Sequence, residues 1–342
     1  MLLNKKQERI EPKNIASLLY SNFSNLMSEF YEMQSTFLST RYLVHKSIET
    51  SNIIICLIRS AHLAIIRQRE KNLDHDLSLE NFFSNLSNNS NLGSISHKVV
   101  SIVKTTGIPK ETVRRKLKQL ILKEYIAANK NKEYYWQLSS KRKERFLKIM
   151  KQDIKAKSKF IHGITLSLNY NFSQKTIEDE IEANFSFYFY HFLSCQLAWL
   201  KMWQTKIKDV DLIFIAMQVL IPTLKYEDKT IDLKKVGLDK IYTVLGRTDE
   251  SYHKSDTSVS AASIADVTGI PRATCIRKLD KLVKLGLLIR EVKTKRYFIN
   301  QLTSSRTKNI ITKDNVSFTI AVFSEYLSIV INALLRNKEH MR

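Results

Sequence analysis

The chain has 342 residues, 44% of them hydrophobic and 26% charged, a balance that excludes a disordered basic tail and predicts two folded domains, each burying a core. Its 55 Lys and Arg against 33 Asp and Glu leave a net charge of +22, a self-repulsion that an anionic partner, nucleic acid or an anionic membrane, would offset. The cysteines, Cys56, Cys195 and Cys275, form no CxxC pair, and no apolar run follows the basic start of the chain, so neither a disulfide framework, a zinc site nor an export signal is expected. The expected compartment is the reducing cytoplasm.

Residues 1–93 read as a helical segment. Its most apolar window, Ile53 to Ile66, is shorter than the roughly 20 residues that span a bilayer and is interrupted by Arg59 and His62. It is expected to be a buried core helix, as is Leu212 to Leu224, and no membrane span is predicted. A polar loop, Ser84 to Ser96, leads into residues 94–140, which read as helix, tight turn, helix and hairpin. His97 to Thr105 places Val99, Ile102 and Val103 on one face, Gly107 sits where the chain turns, and Pro109 opens the next helix, over 109–123. In that helix Val113, Leu117, Leu120 and Ile121 form an apolar stripe. The opposite face carries Lys110, Glu111, Thr112, Arg114, Arg115 and Lys118. Glu124 to Leu138 then gives two β-prone runs around a tip containing Lys130 and Lys132.

Residues 141–175 read as a basic connecting helix or linker, opened by Lys141-Arg142-Lys143-Glu144-Arg145, with extra phosphate contacts or a solvated face as its alternatives. Residues 176–257 are expected to be a second helical segment. Its aromatics, Phe185, Phe187, Tyr188, Phe189, Tyr190, Phe192, Trp199 and Trp203, read as core and inter-repeat packing, with the lining of a small-molecule effector pocket as the alternative. A polar loop, Thr248 to Ser258, precedes residues 258–304, where the helix, turn, helix and hairpin return. Ala261 to Val267 is the first helix, and the second spans 271–285, with Cys275, Leu279, Leu282 and Val283 as its stripe. Its other face carries Arg272, Thr274, Arg277, Lys278 and Lys281; Gly286 caps its end, and Lys293, Lys295 and Arg296 lie at the hairpin tip. Residues 305–342 are expected to form a C-terminal helix.

Thr106 to Leu120 thus returns as Thr268 to Leu282, with Gly107 matched by Gly269 and Pro109 by Pro271. Gln137-Leu138 echoes Gln301-Leu302, and Phe37-Leu38-Ser39 echoes Phe192-Leu193-Ser194, at slightly different offsets. Such an internal duplication is the single-chain form of a homodimer around a pseudo-two-fold axis, two independent beads on a linker being the alternative. The expected class is mainly α, with two small β hairpins.

The two motifs resemble the winged helix-turn-helix regulators, and the order of flanking helix, motif, wing and trailing helix is similar to the MarR family. The resemblance implies that the helices over 109–123 and 271–285 enter successive major grooves of double-stranded DNA, as a monomeric pseudo-dimer on a pseudo-palindromic site. A transcription regulator is the first reading. A plasmid- or phage-type replication initiator, which also looks like tandem winged helices, is the alternative, as is a protein that docks on anionic membrane. No GxGxxG, GxxxxGK[ST] or nucleophile elbow occurs, and His191 with Cys195, or Asp74-His75-Asp76, lacks further ligands at a recognisable spacing. Neither enzymatic activity, a cofactor nor a metal is expected.

Overall fold

The computed structural model describes residues 9–88, 95–230, 257–300, 310 and 312–340. The chain is mainly helical, with two small antiparallel strand pairs. The first half runs α1 (Pro12–Ser21), α2 (Phe23–His45), α3 (Ile48–Lys71), α4 (Phe82–Asn88), α5 (Val99–Thr106), α6 (Lys110–Leu122), β1 (Ile126–Ala128) and β2 (Tyr134–Trp136), then α7 (Lys143–Ser167). The second half runs α8 (Gln174–Ala183), α9 (Phe185–Ile207), α10 (Val210–Thr230), α11 (Ala261–Thr268), α12 (Arg272–Lys284), β3 (Leu288–Arg290) and β4 (Tyr297–Ile299), then α13 (Lys313–His340).

Local chemistry sets these boundaries at matched places. Pro12 opens α1 behind a capping box of Glu11 and Asn14, while the Ser173 hydroxyl accepts from the Thr176 N–H at the start of α8. Asn22 and Asn184 break the chain between the first two helices of each half with nearly the same backbone angles (φ −116 and −112). Lys46 and Lys208, both left-handed, end α2 and α9. One and the same sequence offset separates Asn22 from Asn184, Lys46 from Lys208 and Gly107 from Gly269. The Phe37-Leu38-Ser39 echo is therefore displaced by seven residues, since Phe37 stands in α2 where Trp199, not Phe192, stands in α9. Seven residues make two helical turns and keep the same face, which is why the echo looked genuine. The Phe37 and Phe192 rings in fact touch, with centroids 5.1 Å apart. Gln301-Leu302 lies outside the described residues.

The long helices cross between halves. α3 packs on α9 and α10 on α2; α5 sits on α9 and α11 on α2; α1 lies against α13 and α8 against α7. Each of these contacts between the halves thus has its reciprocal. One hydrophobic cluster consequently runs from Ile15 to Leu335, in place of the two separate cores expected from length. Nor is α7 a linker, because Met150, Ile154, Phe160, Ile161 and Ile164 are buried in that cluster. The five large aromatics Phe185, Tyr188, Phe189, Phe192 and Trp199 are core, each at most 1% exposed.

One further expectation needs correction. The polar stretch Ser84 to Ser96 begins inside α4, where Phe82 and Leu86 are buried and Phe82 meets His62, Trp136, Phe146 and Phe185. Residues 89–94, like 248–256 of the second loop, lie outside the described residues. α3 and Lys313–Asn337 of α13 are long and apolar enough to cross a membrane, although 72% and 67% of their apolar windows are buried inside the fold. That burial agrees with the reading of Ile53 to Ile66 as a core helix; the apolar length of α13 was not singled out from sequence.

Candidate nucleic-acid interface

The Thr-Gly-Ile-Pro motif builds the same turn twice, residue by residue. The Thr106 hydroxyl donates to the Ile102 carbonyl (2.8 Å) and accepts from the Ile108 N–H (3.3 Å); Thr268 does the same with Ile264 (2.6 Å) and Ile270 (3.2 Å). Gly107 and Gly269 close the first helix at φ +72 and +69, donating to Val103 and Ala265. Ile108 and Ile270 then plunge into the core, and the Pro109 and Pro271 carbonyls accept the first bonds of α6 and α12. Replacing either glycine by alanine is expected to cost about 1–2 kcal/mol, the penalty of a Cβ in left-handed backbone. At Gly269 the new Cβ would also lie 2.5 Å from the Leu43 Cδ2, so that side chain has to swing aside. Denaturant melts of both variants check this.

The apolar faces of α6 and α12 lie inward: Val113, Leu117 and Leu120, and Cys275, Leu279 and Leu282, are all buried. Ile121, expected on the stripe, is 39% exposed, because the core side of α6 ends at Leu120. Lys110, Glu111, Arg114, Arg115 and Lys118 are exposed on α6, as are Arg272, Arg277 and Lys281 on α12; Thr112 and Thr274 are half-buried at the first turns. Glu111 pairs with Arg114 at 2.6 Å in water, a weak interaction that leaves the arginine available. Gln119, also exposed on α6, was not singled out from sequence, since an uncharged polar residue carries no charge signal.

Lys278 does not belong to that exposed face. Its side chain is only 12% exposed, and its Nζ lies 2.8 and 3.0 Å from the two Asp209 oxygens and 3.1 Å from Asp211. Helical position alone placed it beside Arg277; the packing of α12 on α10 turns it toward the bend between α9 and α10. Desolvation pulls its pKa down, but Asp211 and Asp209 more than offset this and hold it above the ordinary lysine value.

Beyond each second helix, Ile126 pairs with Trp136 and Leu288 with Ile299 in short antiparallel ladders. A third stretch joins each: His97 and Tyr134 exchange two backbone bonds, as do Val259 and Tyr297. His97 thus lies on the sheet edge, ahead of the helix to which the sequence assigned it. The tips expose Lys130 and Lys132 in the first hairpin and Lys293 and Lys295 in the second. Arg296 is instead turned inward, its guanidinium donating to the Ser258 hydroxyl (2.9 Å) and carbonyl (2.6 Å), and so ties the base of the hairpin.

A cavity of about 100 Å³ lies between α2, α3, α7 and the first hairpin, lined by Arg41, Arg142, Arg145, Trp136 and Phe189 among others. A matching one of about 80 Å³, lined by Trp199 and Trp203, lies under the second. Both are smaller than the roughly 150 Å³ that admits benzene. Among the described residues no group of three or more His, Cys, Asp or Glu is placed to hold a metal. Compared with protein-family models, with curated proteins and with solved structures, the chain matches none.

Proposed function

We propose that the protein is a sequence-specific regulator of transcription that binds double-stranded DNA through two winged helix-turn-helix units, arranged as in MarR-like dimers but fused by internal duplication into one chain. It is not read as an enzyme. One observation carries the proposal: the same four-residue turn, once in each half of the chain, presents two helices whose apolar stripe is buried and whose outward face is cationic. That face suits phosphates and guanine edges. The reciprocal packing of α3 on α9 and α10 on α2 supports a pseudo-dimer over two independent beads, because one hydrophobic cluster runs through both halves.

The two exposed faces differ. Glu111, Arg114 and Lys118 of α6 stand where α12 has Ala273, Ile276 and Asp280, so an imperfect palindrome is the expected site. Selection of bound duplexes from a random pool is expected to return one bipartite sequence with unlike halves. Replacing Arg115 or Arg277 by alanine is expected to cost about 1–3 kcal/mol of specific affinity, and to relax preference in one half-site only. A pool that returns no common sequence would overturn the proposal. Repeated sites clustered at an origin would move it to replication initiation.

A further inference from the structure

Two lysines escape the reading of α6 and α12 as DNA-facing helices. Lys278 is one; Lys116, its counterpart at the matching position of α6, is the other. Lys116 is 11% exposed, and its Nζ donates to the Ser47 hydroxyl at 3.1 Å and the Thr50 hydroxyl at 2.9 Å, with Glu49 at 3.6 Å. Ser47 lies in the bend between α2 and α3, with Glu49 and Thr50 in the first turn of α3; Asp209 lies in the bend between α9 and α10, with Asp211 in the first turn of α10. Each helix is therefore pinned by one nearly buried lysine to the bend of its own half.

The two bends also hold each other. Asp211, which holds Lys278 through Oδ2, accepts from the Ile48 N–H at the first turn of α3 through Oδ1 (3.3 Å). Glu49, near Lys116, accepts from Gln204 of α9 (3.4 Å), and Gln204 also donates to the Lys208 carbonyl at the end of α9 (3.3 Å). A polar path thus runs from α6 through Lys116, the first bend, Ile48, Asp211 and Lys278 to α12.

We propose that Lys116 and Lys278 are positioning residues that clamp the two recognition helices to one polar bridge between the halves, fixing their separation and hence the half-site spacing the protein accepts. This rests on the DNA-binding reading above. The bridge acts through geometry, because both ammonium groups face inward and are not available to DNA. The two ends are unequal. Lys278 has two carboxylates within 3.1 Å, whereas Lys116 bonds two hydroxyls and has its one carboxylate at 3.6 Å, so the Coulomb attraction is larger at Lys278. The second helix is the more firmly held.

Spin labels on Gln119→Cys and Ala273→Cys, in a Cys195→Ser background, report the separation of the helices in the full chain without DNA. The wild-type lysines are expected to give one narrow distance distribution. Lys278→Met is expected to broaden or split it, Lys116→Met to do so less, and Lys278→Arg to restore it. Should Lys278→Met fail to fold, Asp211→Asn breaks the same path with little change of shape and is expected to broaden the distribution as well. Unchanged widths in all the disrupting variants would overturn the inference. In unlabelled protein, duplexes whose half-sites are moved apart one base pair at a time are expected to be sharply discriminated by the wild type. Lys278→Met is expected to lose that discrimination while keeping its affinity for one isolated half-site; equal loss at every spacing and on the half-site would overturn a positioning role. If the wild type binds no duplex at all, the DNA-binding reading fails, and the label distances still decide whether the bridge sets the separation.

Discussion

Asp153→Ala is expected to destabilise the fold by about 3–5 kcal/mol, the cost of leaving buried charges without their partner. Asp153 is fully buried, pairs with Arg41, and lies 3.8 Å from the Nζ of Lys157, which is itself 1% exposed. Among the described residues the Lys157 ammonium has no hydrogen-bond partner, and it faces the rings of Phe192 (4.0 Å), Phe189 (4.5 Å) and Phe37 (5.3 Å). These rings come from α2 and α9, so the charge cluster stands where the two halves meet. Removing the carboxylate leaves Arg41 without its partner and takes from Lys157 the one charge that favours its protonated form. Lys157→Met is expected to act the other way, stabilising by about 1–3 kcal/mol at neutral pH, since Arg41 still pairs with Asp153 and a desolvated charge is gone.

The pH dependence has a definite sign. Desolvation lowers the Lys157 pKa to about 7 from 10.5, Asp153 resisting and Arg41 adding to the shift. Between these values the unfolded chain binds the proton that the folded chain has released, so stability rises with pH through this window. Below about pH 7 the full penalty of burying the charge is present. Urea melts at several pH values between 7 and 10 are expected to show this rise in the wild type and its loss in Lys157→Met. Parallel profiles would refute it.

The second large effect is that of salt. With about 6–10 phosphate contacts, affinity for DNA is expected to fall by about 10³–10⁵ between 50 and 200 mM salt. The exposed lysines and arginines of α6, α12 and both hairpin tips can supply contacts on that scale. Lys130→Ala is expected to weaken binding to all sequences alike and to reduce the salt slope by about 1. An unchanged slope would remove the first hairpin from the interface.

What was legible in the sequence is what depends on neighbours along the chain. Thr106-Gly107-Ile108-Pro109 specifies its turn through bonds that reach no further than five residues, and its recurrence located both motifs. The apolar stripes of α6 and α12 followed from helical spacing. Partnership across the fold did not. Lys278 looked like a neighbour of Arg277 because its carboxylates lie in a bend 69 residues away, and Arg296 looked like a tip cation because Ser258 is 38 residues away. Asp153 and Lys157 read as part of a basic stretch, either solvated or contacting phosphate, although both are buried in the core. The seven-residue slip between Phe37 and Phe192 shows how a helical echo preserves face while losing register, and the shared core could not be read from length at all.

The central claim is that one chain is a complete pseudo-dimer, and light scattering on its complex with a selected duplex tests it most directly. One chain per bipartite site is expected, with weaker binding to a palindrome made from either half alone. Two chains per site, binding a symmetrised palindrome as tightly as the natural mixed site or more so, would contradict it.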